Sequence, residues 1–240
     1  MTKSFVGLKL NKEQIEAVKY SGGPLLIIAG AGTGKTTVIT ERIKYLISKG
    51  LAKPEEILAL AFTEKAATEM ETRVDEIMPL SYGDLCISTF HSFCDRVLRE
   101  KVLEIGLSPN YKLMTQVQSI DLVRKNLFDF NLNYFRPLGN PNKFIEGLLQ
   151  HFSRLQDELV SPSKYLEYAN DPTSLKLRGA SEPLEVKKTK ELTIAYKFYS
   201  ELKIKENVMD FADLVSYSVK LFKDRPNVLK TYQEKCKYIL

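Results

Sequence analysis

The chain has 240 residues, enough for one large domain or two small ones. Hydrophobic residues make up 44% and charged residues 27%, a globular composition that excludes a disordered tract and needs no disulfide or metal staple. The net charge of +5 permits a polyanionic partner without requiring one.

Cys86, Cys94 and Cys236 show no C-x-x-C spacing, which argues against a zinc or iron–sulfur site and for reduced thiols. Cys86 and Cys94 read as small buried hydrophobes. Residues 1–10 lack the apolar stretch of a signal peptide, and no apolar run reaches membrane-span length. The expected location is cytoplasmic, with no membrane partner.

In chain order, Asn11 and Gln14 form a capping box for a first helix. Pro24–Ala29 is a short apolar run that predicts a buried strand. A helix over 35–49 follows, with Ile39, Ile43, Leu46 and Ile47 on one face and Gly50 as its stop. Residues 57–62 predict a second strand. Residues 63–78 predict a helix with Ala66, Ala67, Met70, Val74 and Ile77 inward. Residues 85–89 predict a third strand and 90–105 a third helix. Alternating helices with all-apolar strands predict an α/β fold, a parallel sheet with helices on both faces. In such sheets, ligands gather beyond the carboxyl ends of the strands.

From about Ser108 to Lys205 helical spacing persists, as in Phe144, Ile145, Leu148, Leu149 and Phe152, but buried-strand runs vanish. Pro137, Pro141, Pro162, Pro172 and Pro183 divide this stretch, which reads as a mostly helical insertion. Helices over 211–222 and 226–234 follow, and then a strand opening at Tyr238–Leu240. The expected organisation is 1–107, an inserted 108–205, and a return over 206–240.

Ala29-Gly30-Ala31-Gly32-Thr33-Gly34-Lys35-Thr36 is a Walker A pattern with Ala in its first place. Glycines let successive backbone N–H groups turn toward phosphate oxygens, and the helix N-terminus adds partial positive charge. Lys35 is expected to reach the β- and γ-phosphates of ATP, and the Thr36 hydroxyl to ligate Mg²⁺.

Several further segments, in order and spacing, give the chain a resemblance to the N-terminal part of UvrD/Rep/PcrA-type superfamily 1 DNA helicases. Residues 10–18 resemble the family's Q motif, 29–37 its motif I, 60–70 its motif Ia and 88–93 its motif Ib. Asp210-Phe211-Ala212-Asp213-Leu214 resembles its D-F-D-D-L segment. The resemblance implies a RecA-like phosphate-loop domain with an inserted helical subdomain.

It implies ATP and Mg²⁺ as cofactors, and single-stranded DNA and a duplex junction as partners. The nucleotide site would comprise Gln14, which can also serve only as a cap, the 29–37 loop including Thr37, and Arg42, which can also be a plain solvated helix residue. Phe62, Thr63, Lys65, Thr89, Phe90 and His91 would meet DNA. Phe62 can equally be core, and His91 a structural histidine. The other histidine, His151, lies in the insertion, so a metal role for His91 is poor.

Two positions depart from the family pattern. Glu64 stands where Asn is usual and would repel phosphate unless it points away, and Ala212 replaces the middle Asp. The family's next carboxylate pair would fall just after Leu240, followed by further helicase domains. The 240 residues alone are therefore expected to hydrolyse ATP slowly, if at all, and not to unwind DNA. The expected activity is that of an ATP-dependent, 3′–5′ DNA helicase in repair or replication. A helicase–nuclease subunit and a non-enzymatic single-strand binder are the competing readings.

Overall fold

The computed structural model describes residues 10–30, 32–76, 85–136, 139–171 and 183–240. The chain divides into two compact units, residues 1–93 with 227–240, and residues 94–226. The boundaries expected near 107 and 206 both fall inside the second unit. The reason lies in residues 210–213, whose carboxylates are bound to Lys203 and Gln156 of the helical unit.

In the first unit, α1 (Lys12–Lys19) opens with the expected capping box, and α2 (Lys35–Ser48) follows the glycine loop. Strand β1 (Ile57–Ala61) leads into α3 (Glu64–Asp75), and β2 (Cys86–Thr89) leads into α4 (Phe90–Lys101). A 3₁₀ turn, Val102–Ile105, completes the stretch read as one helix over 90–105. Strand β1 lies between β2 and a strand at Tyr238–Ile239, all parallel. Leu240 extends that last pairing, exchanging backbone hydrogen bonds with Leu58 and Leu60 at 2.9 Å each. The core joins Ile43 and Leu46 of α2, Ile57, Ala59 and Ala61 of β1, and Ala67, Met70 and Val74 of α3. Ile39, Ile47 and Ala66 pack partly against it, and Ile77 lies outside the described residues.

The strand expected at Pro24–Ala29 is not formed. Leu26 is 84% and Ile28 91% exposed, and the segment pairs with no described strand. An apolar run becomes a buried strand only between neighbours that satisfy its backbone, and the three-strand sheet places none beside it.

The second unit is helical. After a two-residue strand β3 (Lys112–Leu113) come α5 (Gln116–Lys125), α6 (Pro141–Asp157), α7 (Pro162–Asn170) and α8 (Pro183–Lys205). Strand β4 (Val208–Met209) pairs parallel with β3, a small ribbon that the sequence pattern did not show. Helix α9 (Phe211–Asp224) follows. Three of the insertion's prolines begin helices, where a missing N–H costs nothing. Pro137 and Pro172 lie outside the described residues.

Ile145, Leu148 and Phe152 of α6 are buried against Val123, Phe130, Tyr165 and Tyr199. At the N-terminus of α9, Lys203 is 1% exposed and lies 2.7 Å from Asp210 and 2.6 Å from Asp213. Helix α10 (Pro226–Lys235) and β5 (Tyr238–Ile239) end the chain. No helix among the described residues is long and apolar enough to cross a membrane.

Candidate functional site

The glycine loop enters α2 with Gly32 at φ +74° and Gly34 at φ +86°, left-handed values that an L side chain resists. A Cβ on Gly34 would sit 3.1 Å from Gln14 Nε2. Gly34 caps α2 without a side-chain hydrogen bond, so no side chain competes at the N–H groups of its first turn. Lys35 Nζ donates to the carbonyls of Gly30 (2.6 Å) and Ala29 (3.2 Å), which keeps the ammonium folded over the loop. Thr33 Oγ1 closes the turn on the Gly30 carbonyl at 2.9 Å. Ala31 lies outside the described residues. Thr36 and Thr37 follow in the first turn of α2. Left-handed glycines, an uncapped helix start and a lysine turned over the loop fit a phosphate chain with its metal ion.

Gln14 does two things at once. Its Oε1 accepts the Asn11 N–H at 2.9 Å, completing the cap, and its Nε2 donates to the Thr33 carbonyl at 3.0 Å. The cap therefore ties α1 to the loop. Arg42 was expected beside a base. Its guanidinium donates to the carbonyls of Val18 (2.9 Å) and Tyr20 (2.8 Å), gathering the C-terminal end of α1. Those carbonyls have no partner further along the helix, and the α2 side chain satisfies them.

The second cluster forms where β1 and β2 end. The parallel register pairs Ala61 with Thr89, so residues 62–65, which lead into α3, and 90–92, the first turn of α4, leave the sheet side by side. Phe62 is 93% exposed, which removes the core reading. Thr63 caps α3 by accepting the Ala66 N–H at 3.2 Å, leaving its own proton to be donated outward. Lys65, Phe90 and His91 are exposed on the same two turns.

Thr89 is different: it is buried, and its hydroxyl donates to Glu64 Oε1 at 2.8 Å. The expected surface contact at Thr89 is thus an internal one, because the last residue of a paired strand here faces the neighbouring turn. Ser92 Oγ donates to the same Glu64 oxygen at 2.8 Å. The two hydroxyls hold the Glu64 carboxylate below the usual range, Ser92 contributing most. Glu64 is exposed, with its Oε1 held by the two hydroxyls.

Sequence reasoning did not single out Arg73, on α3, whose Nη1 donates to Thr37 Oγ1 at 3.3 Å. Only the packing of α3 beside α2 reveals it. The three thiols are half-buried and in no disulfide; Cys86 Sγ lies 4.0 Å from Ser88 Oγ, and burial pushes the Cys94 thiol up. No group of metal ligands occurs among the described residues.

A glycine loop opening a helix beside a parallel sheet, with Lys and Thr at the helix start, defines the phosphate-loop class of domain. The comparison with known families is more specific: residues 10–240 match the UvrD/REP helicase N-terminal domain, and the chain belongs to that family. It is 36% identical over 231 residues to the ATP-dependent DNA helicase PcrA of Bacillus subtilis, covering 96% of this chain and 28% of that protein. A probable DNA helicase II homolog of Rickettsia felis is 37% identical, over 96% of this chain and 32% of its own length. PcrA of Staphylococcus epidermidis is 35% identical, over 96% and 29%. The chain thus spans less than a third of the length of these relatives.

Proposed function

We propose that this chain is the ATP-binding and single-stranded-DNA-contacting part of an ATP-dependent DNA helicase, built on a RecA-like sheet. The observation that carries the reading is the parallel Ala61–Thr89 register. It sets an exposed aromatic, hydroxyl and cationic pair of turns at one sheet end, in the unit that also holds the glycine loop.

In this reading the loop N–H groups and Lys35 grip the β- and γ-phosphates, and the Thr36 hydroxyl holds Mg²⁺. Bound Mg²⁺ neutralises phosphate charge for attack by water. Gln14 stands where one amide can both accept from and donate to an adenine edge, and Arg42 acts by placing α1, which carries Gln14. Phe62 offers a face for a base to stack on, while Thr63, Lys65 and His91 meet phosphates. The remaining helicase domains, the duplex junction, 3′–5′ movement and a cytoplasmic role in repair or replication belong to the same proposal.

The test is ATP turnover by the protein at its natural length, with and without single-stranded DNA. The expected result is DNA-stimulated turnover that Lys35→Ala lowers by about 10²–10³-fold, the scale for removing one electrostatic stabiliser. Turnover that survives Lys35→Ala would place hydrolysis elsewhere.

A further inference from the structure

Glu64 is an anomaly on a surface meant for phosphates, since an exposed carboxylate repels them. The geometry resolves it. Glu64 is the first residue of α3, directly after the Thr63 cap, so its Cα is fixed by the helix start. Its Oε1 takes one hydroxyl proton from Thr89, the last residue of β2, and one from Ser92, in the first turn of α4. The Ser92 N–H in turn donates to Thr89 Oγ1 at 3.2 Å. One carboxylate oxygen therefore closes a ring of three side chains across three elements, α3, β2 and α4. Beside this ring the pairing of β1 with β2 ends at Ala61–Thr89.

Resting on the single-stranded-DNA reading above, we propose that Glu64 is a positioning residue. It clamps the 62–65 turn to the 90–92 turn, so that Phe62, Thr63 and Lys65 keep register with Phe90 and His91 along one strand of DNA. The carboxylate does not touch DNA. Two hydroxyl donors draw its charge inward and leave the outer face to Lys65 and His91. An acceptor is what the position requires: an alanine there removes it, whereas a glutamine retains a carbonyl oxygen for the same two hydroxyls. Charge-assisted hydrogen bonds such as these two are the stronger kind.

The experiment measures binding of a fluorescein-labelled oligothymidylate to the protein at its natural length, together with its melting temperature. Glu64→Ala is expected to weaken binding about fivefold, the loss of a net hydrogen bond at a partly exposed site, and to lower the melting temperature by no more than about 2–4 °C. Glu64→Gln is expected to stay within about twofold of wild type. Thr89→Val, which keeps shape and removes the hydroxyl, should weaken binding by itself but add little to Glu64→Ala.

The clamp is overturned if Glu64→Ala binds like wild type, or if Glu64→Gln falls as far as Glu64→Ala. It is also overturned if the loss follows the melting temperature. A wild-type protein with no affinity for the oligonucleotide would instead defeat the functional reading beneath it.

Discussion

The two units of this chain bury opposite things. The helical unit seals an aromatic core and places a lysine between two aspartates, all nearly out of water. The α/β unit has a smaller core and turns its reactive side chains outward: Lys35, Phe62, Lys65 and His91 are all exposed. Polar ties of the first unit include hydrogen bonds at element ends, such as Gln14 to the Thr33 carbonyl and the Thr89 and Ser92 hydroxyls to Glu64. A buried ion cluster fixes one packing, whereas ligand sites need donors left over after folding. The contrast therefore separates a part held by buried ions from a part whose polar side chains stay exposed.

The sharpest way to break the contrast is Lys203→Met. It leaves Asp210 and Asp213 facing one another without their cation and is expected to cost about 3–5 kcal/mol. Denaturant unfolding should show the loss, and a change under 1 kcal/mol would mean that the cluster is not a keystone. On the other unit Phe62→Ala removes an exposed ring, so stability should hold while single-strand affinity falls about tenfold, the scale of one stacked base. Equilibrium binding beside a thermal melt reads both, and a lowered melting temperature with intact binding would contradict the assignment.

The smallest effect concerns pH. Burial pushes the Asp213 carboxyl from its ordinary 3.8 up to about 6, with Lys203 opposing. Between these values the folded protein keeps a proton that the unfolded chain has released. The Asp213 contribution is thus full below about pH 4 and is lost as pH rises through 6. Asp210 runs the other way: with Lys203 overcoming burial, it is held low and contributes above its ordinary range. Asp213→Asn should remove the decline between pH 4 and 6 in a series of melting curves. An unchanged slope would assign it to other groups.

Much of this was legible in the sequence because it is local. The Asn11–Gln14 box, the helix after the glycine loop and the inward faces of α2 and α3 follow from spacing alone. The Pro24–Ala29 run was misread for a physical reason: apolar periodicity reports a wish to be buried, not whether a neighbour exists. Glu64 showed only as a departure, since its direction depends on the β1–β2 register. The hold of Arg42 on α1 was not legible because its partners are backbone carbonyls, which sequence does not mark. The tie of Lys203 to Asp210 and Asp213 was not legible, because it runs around a two-residue strand, a contact with no periodicity.

The most direct test is a crossed binding measurement on the protein at its natural length, with a fluorescent ATP analogue and a labelled oligothymidylate as separate probes. The account predicts that Lys35→Ala loses the nucleotide and keeps the DNA, while Phe62→Ala loses the DNA and keeps the nucleotide. If Lys35→Ala leaves nucleotide affinity intact, or Phe62→Ala leaves DNA affinity intact, the exposed turns and loop of the α/β unit are not the binding surfaces described here.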